Sequence, residues 1–189
     1  MLKDLVFKNR SYRRFYQEAT IPMETLKELV DLARLAPSGR NAQPLKYILV
    51  NGTEKNAQIF STLAWAGYLK DWSGPEEGER PSAYIVMLGD KELSQTFAVD
   101  QGIAAQTIML GAVEKGYGGC IIGSIQRPSL AKILNISERY EILLVLALGK
   151  PKEKVIIEPV GAEGDIKYWR DANGGHHVPK RALEDLILS

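Results

Sequence analysis

LARLAPSGRNAQPLKYILV, residues 32–50, changes character twice. It begins as the face of a helix, turns polar at Pro37 and ends as an apolar strand. A plain helix-to-strand connection needs about two to six residues and no such density of hydrogen-bonding groups. The bend from Pro37 to Pro44 is therefore the first candidate for chemistry, and the elements on either side set the fold class. Upstream, Leu26, Leu29, Val30 and Ala33 recur at i, i+3, i+4 and i+7, which predicts a helix over Met23–Ala36. Pro22 and Glu24 suit its first turn, and Pro37 ends it. Downstream, Tyr47–Val50 reads as a short buried strand closed by the turn signal Asn51-Gly52.

Outward from there, helices and strands mix without a strict βαβ rhythm. Met1–Lys8 reads as a short helix and Glu54–Trp65 as a second. Residues 71–82 are acidic, with two prolines and two glycines, and read as a mobile loop. Ala83–Leu88, Gly118–Ile122 and Glu141–Leu148 read as strands, and Ser129–Leu134 as a helix. Ser94–Lys115 is the longest predicted helix, apolar on nearly every side in its middle. Gly102, Ala104, Ala105, Gly111 and Ala112 keep it slim enough for another helix to approach. The tail from residue 151 carries charges, aromatics and the string HHVPKR, then a last expected helix over Ala182–Leu188. The sum is a single α+β domain over residues 1–189: a sandwich with a central sheet flanked by helices. The long helix is too apolar for the outside of a monomer, so a homodimer is expected to bury it.

Composition narrows the function classes. Forty-five per cent apolar and 25% charged residues describe a globular chain, and 189 residues suffice for one domain. A formal net charge of +1 argues against a dedicated nucleic-acid or membrane-surface binder. Cys120 is the only cysteine, so no internal disulfide forms and a reducing, cytoplasmic home is expected. The N-terminal residues mix charges with apolar side chains and lack a signal-peptide core. The nearly apolar run from Gly102 to Val113 falls short of the roughly 20 residues a membrane span needs. The sequons at Asn51 and Asn135 are read as chance matches.

Side chains for hydrolysis or metal chemistry are sparse. The glycines around Gly116 and Gly118 precede a strand, where a dinucleotide fingerprint would follow one. His176 and His177 are adjacent, so on an extended chain they point opposite ways, and no metal site is expected. Cys120 sits in an apolar strand and reads as an inert core residue. This poverty is what a borrowed cofactor would explain. The anion-binding candidates are richer. NRSYRRF packs Arg10, Ser11, Arg13 and Arg14 into five positions, with Ser11 adding a hydroxyl to the guanidinium forks. Lys180 and Arg181 precede the last expected helix, whose N-terminus would itself attract anions.

RSYRRF, APSGRNAQP, VDQGIAAQTIMLGAVEKGYGGCIIGSI and LALGKP, in this order, resemble the nitroreductase family over about residues 9–151. The resemblance implies an α+β homodimer with a central, mostly antiparallel sheet and two FMN sites at the subunit interface. It further implies ping-pong transfer of two electrons from NAD(P)H through FMN to a nitro, quinone or similar small acceptor. By the same resemblance Pro37 and Ser38 pack near the flavin ring, in part across the interface, and Asn41 and Gln43 offer amide groups to its pyrimidine edge or to the loop's own backbone. Pro37 and Pro44 stiffen that bend. Arg10 and Ser11 hold the FMN phosphate, helped by Lys180 and Arg181, because Asn9 stands where relatives often have an arginine. Arg13 reaches the N1 and O2 side of the ring, where a cation raises the reduction potential. Gly118, Gly119 and Cys120 fall in the stretch that passes the flavin, where glycines let backbone N–H groups come close. Gly123 either does the same or ends the strand. Trp65, Tyr68 and Trp72 are candidates to shape the opening. No protein acid is required, since solvent can protonate the acceptor. Two alternatives stay open: a narrower enzyme of the same family, such as a dehalogenase or dehydrogenase, and a non-catalytic flavin-binding module.

Overall fold

The computed structural model describes residues 1–188. In chain order it contains α1 (Leu2–Lys8), β1 (Phe15–Tyr16), α2 (Met23–Leu35), β2 (Leu45–Val50), α3 (Thr53–Phe60) and β3 (Ala83–Asp90). Then follow α4 (Ala98–Glu114), β4 (Gly118–Ile122), α5 (Arg127–Leu134), β5 (Tyr140–Pro151), β6 (Val155–Pro159), β7 (Trp169–Arg170) and β8 (His176–Lys180). β5 is the hub of a five-stranded sheet in which it pairs with β3, β4 and β1, while β2 pairs with β3. Every pairing in that sheet is antiparallel.

The two-residue period of a strand explains the layers. On β3 and β5, Ile85, Met87, Leu146 and Leu148 face α2 and α4, joining Leu26, Leu29, Ile108 and Met109 in one core. Their neighbours Tyr84, Val86, Val145 and Ala147 face the other way and meet Ile59, Trp65 and Leu130 over α3 and α5. A strand buried on both faces reads as an unbroken apolar run, and all of β3 is buried. At about 1.5–3 kcal/mol for each fully buried large aliphatic side chain, these two layers dominate the stability.

The small residues of α4 admit another helix, as expected, and that helix is α2: a Cβ on Gly111 would lie 2.5 Å from Leu32 Cδ1, and Ala105 is 1% exposed in the core. Three other expectations are corrected. The outer face of α4, with Val99 72% exposed and Gly102 and Gln106 also open, is uncovered in the single chain. That helix also starts at Ala98, because the Ser94 hydroxyl engages both the N–H and the C=O of Thr96 in a turn that competes with helix. The last helix is only a 3-10 turn at Glu184–Leu186; Leu183, Leu186 and Ile187 are 64–66% exposed and have no core to stabilise a longer one. The loop 71–82 is tied down: Glu79 O accepts from Phe15 N at 2.9 Å, and Gln17 Oε1 accepts from the N–H groups of Gly78 and Arg80. The tail adds a small sheet that the sequence did not foretell, with β8 between a parallel β6 and an antiparallel β7.

Candidate functional site

The arginine-serine motif leaves α1 and runs beside the start of β4. Ser11 bridges Gly119, and Tyr12 N donates to Gly119 O at 2.9 Å. Behind it stands Glu153, whose side chain is fully buried. Its carboxylate accepts from the backbone N–H groups of Arg13 and Arg14 and from Arg170 Nη2 at 3.1 Å. The motif's backbone is thus held rigidly by a charge that sequence reading passed over.

The three arginines have different fates. Arg14 forks onto Glu79, which is pulled down to about 2 by that hydrogen bond above all, and so Arg14 is spent on structure. Arg10 gives Nη2 to Val6 O at 2.7 Å, and its buried Nε has no partner. Arg13 is 8% exposed, donates to Ser11 O, lies 3.0 Å from His176 Nε2 and has the Tyr168 ring 4.6 Å from its guanidinium carbon. Arginine can only donate, so Nε2 of His176 accepts and Nδ1 carries the proton. Burial, followed by the charge of Arg13, pushes this imidazole down to about 4. Neither His176 nor Tyr168 had a sequence signal, because their partner is 163 and 155 positions away in the chain.

Arg13 lines a cavity of about 220 Å³ with Cys120–Ser124, Ala64–Gly67 and Tyr168. Trp65 is one of its walls, whereas Tyr68 stands outside, packed on Tyr168 at 4.9 Å, and Trp72 lies under the Arg170 guanidinium. Cys120 is buried, and burial pushes its thiol up, so it is an unreactive wall. Gly118 and Gly119 have no room for a side chain: a Cβ on Gly119 would sit 2.3 Å from Ala147 O, and one on Gly118 2.6 Å from Tyr12. Gly123 is the open one, with Leu144 no closer than 4.0 Å.

The bend after α2 forms a separate half. Arg40, Asn41 and Gln43 take φ values of 52°, 55° and 48°, a conformation uncommon outside glycine that needs outside support. Asp100 on α4 supplies it, accepting from Ser38 Oγ at 2.5 Å and Gly39 N at 2.9 Å. Ser38 Oγ accepts from Gln43 N, and Gln43 Nε2 donates to Asn41 O. Ser38 and Gln43 therefore hold the bend itself, while the Asn41 side chain stays exposed. Pro37, Ser38, Gln43, Pro44 and Asp100 line a second cavity of about 270 Å³.

Among the described residues no hydrogen bond or ion pair joins this bend to Arg10, Ser11 or Arg13. Lys180 and Arg181 are likewise not brought to Arg10. Lys180 ends a strand, its carbonyl accepts from Val160 N, and both side chains are exposed with no helix after them. The adjacent histidines do diverge: His176 turns in to Arg13, and His177 sits between Glu158 at 2.8 Å and Asp171 at 3.1 Å.

A family model described as "Nitroreductase family" matches residues 6–150. A Bacillus subtilis protein named "Putative NAD(P)H nitroreductase YodC" is 29% identical over 177 residues, covering 78% of this chain and 88% of its own. The iodotyrosine deiodinase of Thermotoga neapolitana is 24% identical, covering 81% of this chain and 90% of its own. Among solved structures, a nitroreductase family protein of Streptococcus pneumoniae shares the fold with a TM-score of 0.73 at 19% identity, covering 100% of this chain and 99% of that one.

Proposed function

The chain belongs to the nitroreductase family, and on that premise we propose that it is an FMN-dependent NAD(P)H oxidoreductase acting on nitro, quinone or similar small acceptors. One observation carries the reading. The Arg13 guanidinium stands on the wall of a cavity made by Cys120–Ser124, and Arg10, three residues back, has a buried Nε without a partner. A buried cation on a cavity wall suits an electron-poor ring, and an unused donor on a neighbouring arginine suits a phosphate. FMN supplies the two-electron exchange between a nicotinamide and an acceptor. Arg10 and Ser11 hold its phosphate. Arg13, fixed by Ser11 O and His176, keeps a positive charge beside the pyrimidine edge. Cys120 offers no competing thiolate, and Gly123 leaves room beside the cavity. The acceptor's protons come from solvent, in keeping with a cavity lined by no carboxylate.

A second copy of the chain completes the site by bringing its 37–44 bend to the Arg13 cavity. What supports this is that one chain leaves the two halves unjoined and the outer face of α4 uncovered. Among the described residues no helix is long and apolar enough to cross a membrane, and we place the enzyme in a reducing cytoplasm.

A visible spectrum of the pure protein, before and after anaerobic NADPH, tests the reading. Flavin bands that bleach support it; a colourless protein that takes up no FMN overturns it. Arg10→Ala should weaken FMN retention by about 1.5–3 kcal/mol, the scale of a charge-assisted bond. Colour retained at micromolar protein through a desalting column removes Arg10 from the phosphate site. The similarity to a deiodinase favours one second reading, reductive dehalogenation. A panel of nitro, quinone and halogenated phenol acceptors separates the two.

A further inference from the structure

On the α3 face of the sheet lies a cavity that the flavin reading leaves unused. It holds about 470 Å³ between α3, the loop before β3 and the first residues of β3. Its floor is polar. Asn56, Arg80, Ser82 and Tyr84 all line it, and each carries one buried side-chain atom (Oδ1, Nε, Oγ and Oη) without a protein partner. Folded proteins leave few such atoms without a protein partner, and four on the residues around one cavity mark it as a polar site able to take a ligand. Tyr84 is 0% exposed and Ser82 4%.

The frame around these atoms is fixed. Asn56 spends its Nδ2 on Ser82 O at 2.8 Å, which leaves Oδ1 as a free acceptor. Gln17 Oε1 holds the backbone of Gly78 and Arg80. The Arg80 guanidinium lies 4.4 Å over the Phe60 ring, on a wall rather than in solvent. Among the described residues Arg80 enters no ion pair, although Glu18 and Glu77 stand at the rim.

We propose that this cavity binds a small carboxylate that also carries a hydroxyl or amino donor. The guanidinium fork matches the planar carboxylate, and one cation balances one negative charge. The two hydroxyls bond its oxygens. Asn56 Oδ1, which can only accept, takes the ligand's own donor. The two rim glutamates repel a dianion and favour an amino group.

The test measures binding to the protein as purified, by melting temperature and by tryptophan fluorescence. Phe60 packs against Trp65 at 5.7 Å and so couples the cavity to a reporter. The probes are sodium lactate, sodium glycerate and L-serine, with acetate and inorganic phosphate as comparisons. At least one of the first three should bind saturably, about tenfold or more tighter than acetate, which lacks the donor. Tyr84→Phe should weaken that binding about tenfold while melting no lower than the native protein, because it removes an unpaired hydroxyl. Ser82→Ala serves as a second variant with the same expectation. Arg80→Met should abolish binding. The proposal is overturned if none of the three probes binds, if phosphate binds tighter than all of them, or if both hydroxyl deletions leave affinity unchanged.

Discussion

In the central sheet, β3 is buried along its whole length, and its partners are aliphatic side chains from both faces. In the tail sheet of β6, β7 and β8, most residues are half-exposed, and the contacts are charged or aromatic. His177 is clamped by Glu158 and Asp171 and stacked on Trp169 at 4.0 Å; Arg170 pairs with Glu153 and lies over Trp72. The first sheet is held by a non-directional force that grows with area. The second is held by a few directional bonds. Yet both sides meet at Arg13, which β4 supports from one direction and His176 from the other. The difference teaches that the site's rigidity has a robust half and a conditional half.

The largest break should come in the central sheet. Leu146→Ala removes a fully buried side chain and should cost about 2–5 kcal/mol. A urea melt should show one cooperative transition at lower midpoint, with no part of the sheet spared. Glu153→Gln should cost less, about 1–3 kcal/mol, by depriving Arg170 and two backbone amides of a charged acceptor. Hydrogen exchange should then rise over residues 153–180 while β3 and β5 stay protected. Equal loss of protection in both sheets would erase the distinction drawn here. Asp100→Asn, at the bend, should cost about 1 kcal/mol and lower flavin retention without touching the tail.

The smallest effect is local and depends on pH. His177 titrates above its ordinary 6.5 because Glu158, then Asp171, bond its ring. Its contribution is complete below 6.5 and fades as the pH rises through the folded value. His176 is the reverse, pushed down to about 4, so its contribution is complete above 6.5 and fades as the pH falls towards 4. The tail should therefore be best protected near pH 6.5, with protection factors, corrected for the intrinsic exchange rate, falling on both sides. NMR titration of the two imidazoles should show the neighbours moving in opposite directions from 6.5; a shared value would refute the clamp.

Much of the framework was readable in advance. β3, β4 and β5 announced themselves as apolar runs, and α2 by its periodicity, because burial imposes a pattern on consecutive residues. Arg13 was readable as a motif residue, and Cys120 as an inert one. His176, Tyr168, Glu153 and Asp100 were not, since each acts through a partner far away in the chain. The crowding that excludes a side chain at Gly119 was not readable either, since its neighbour there is Ala147 on another strand.

Local patterning by itself determined the layers of this protein, its order of main elements and the family it belongs to, because hydrophobic periodicity and short motifs are properties of neighbouring residues. Only the tertiary structure decided which arginine keeps a nitrogen without a partner, which is consumed by Glu79, and which histidine turns in to Arg13. Those outcomes depend on side chains that meet after the chain has closed on itself, and no spacing along the sequence encodes such a meeting.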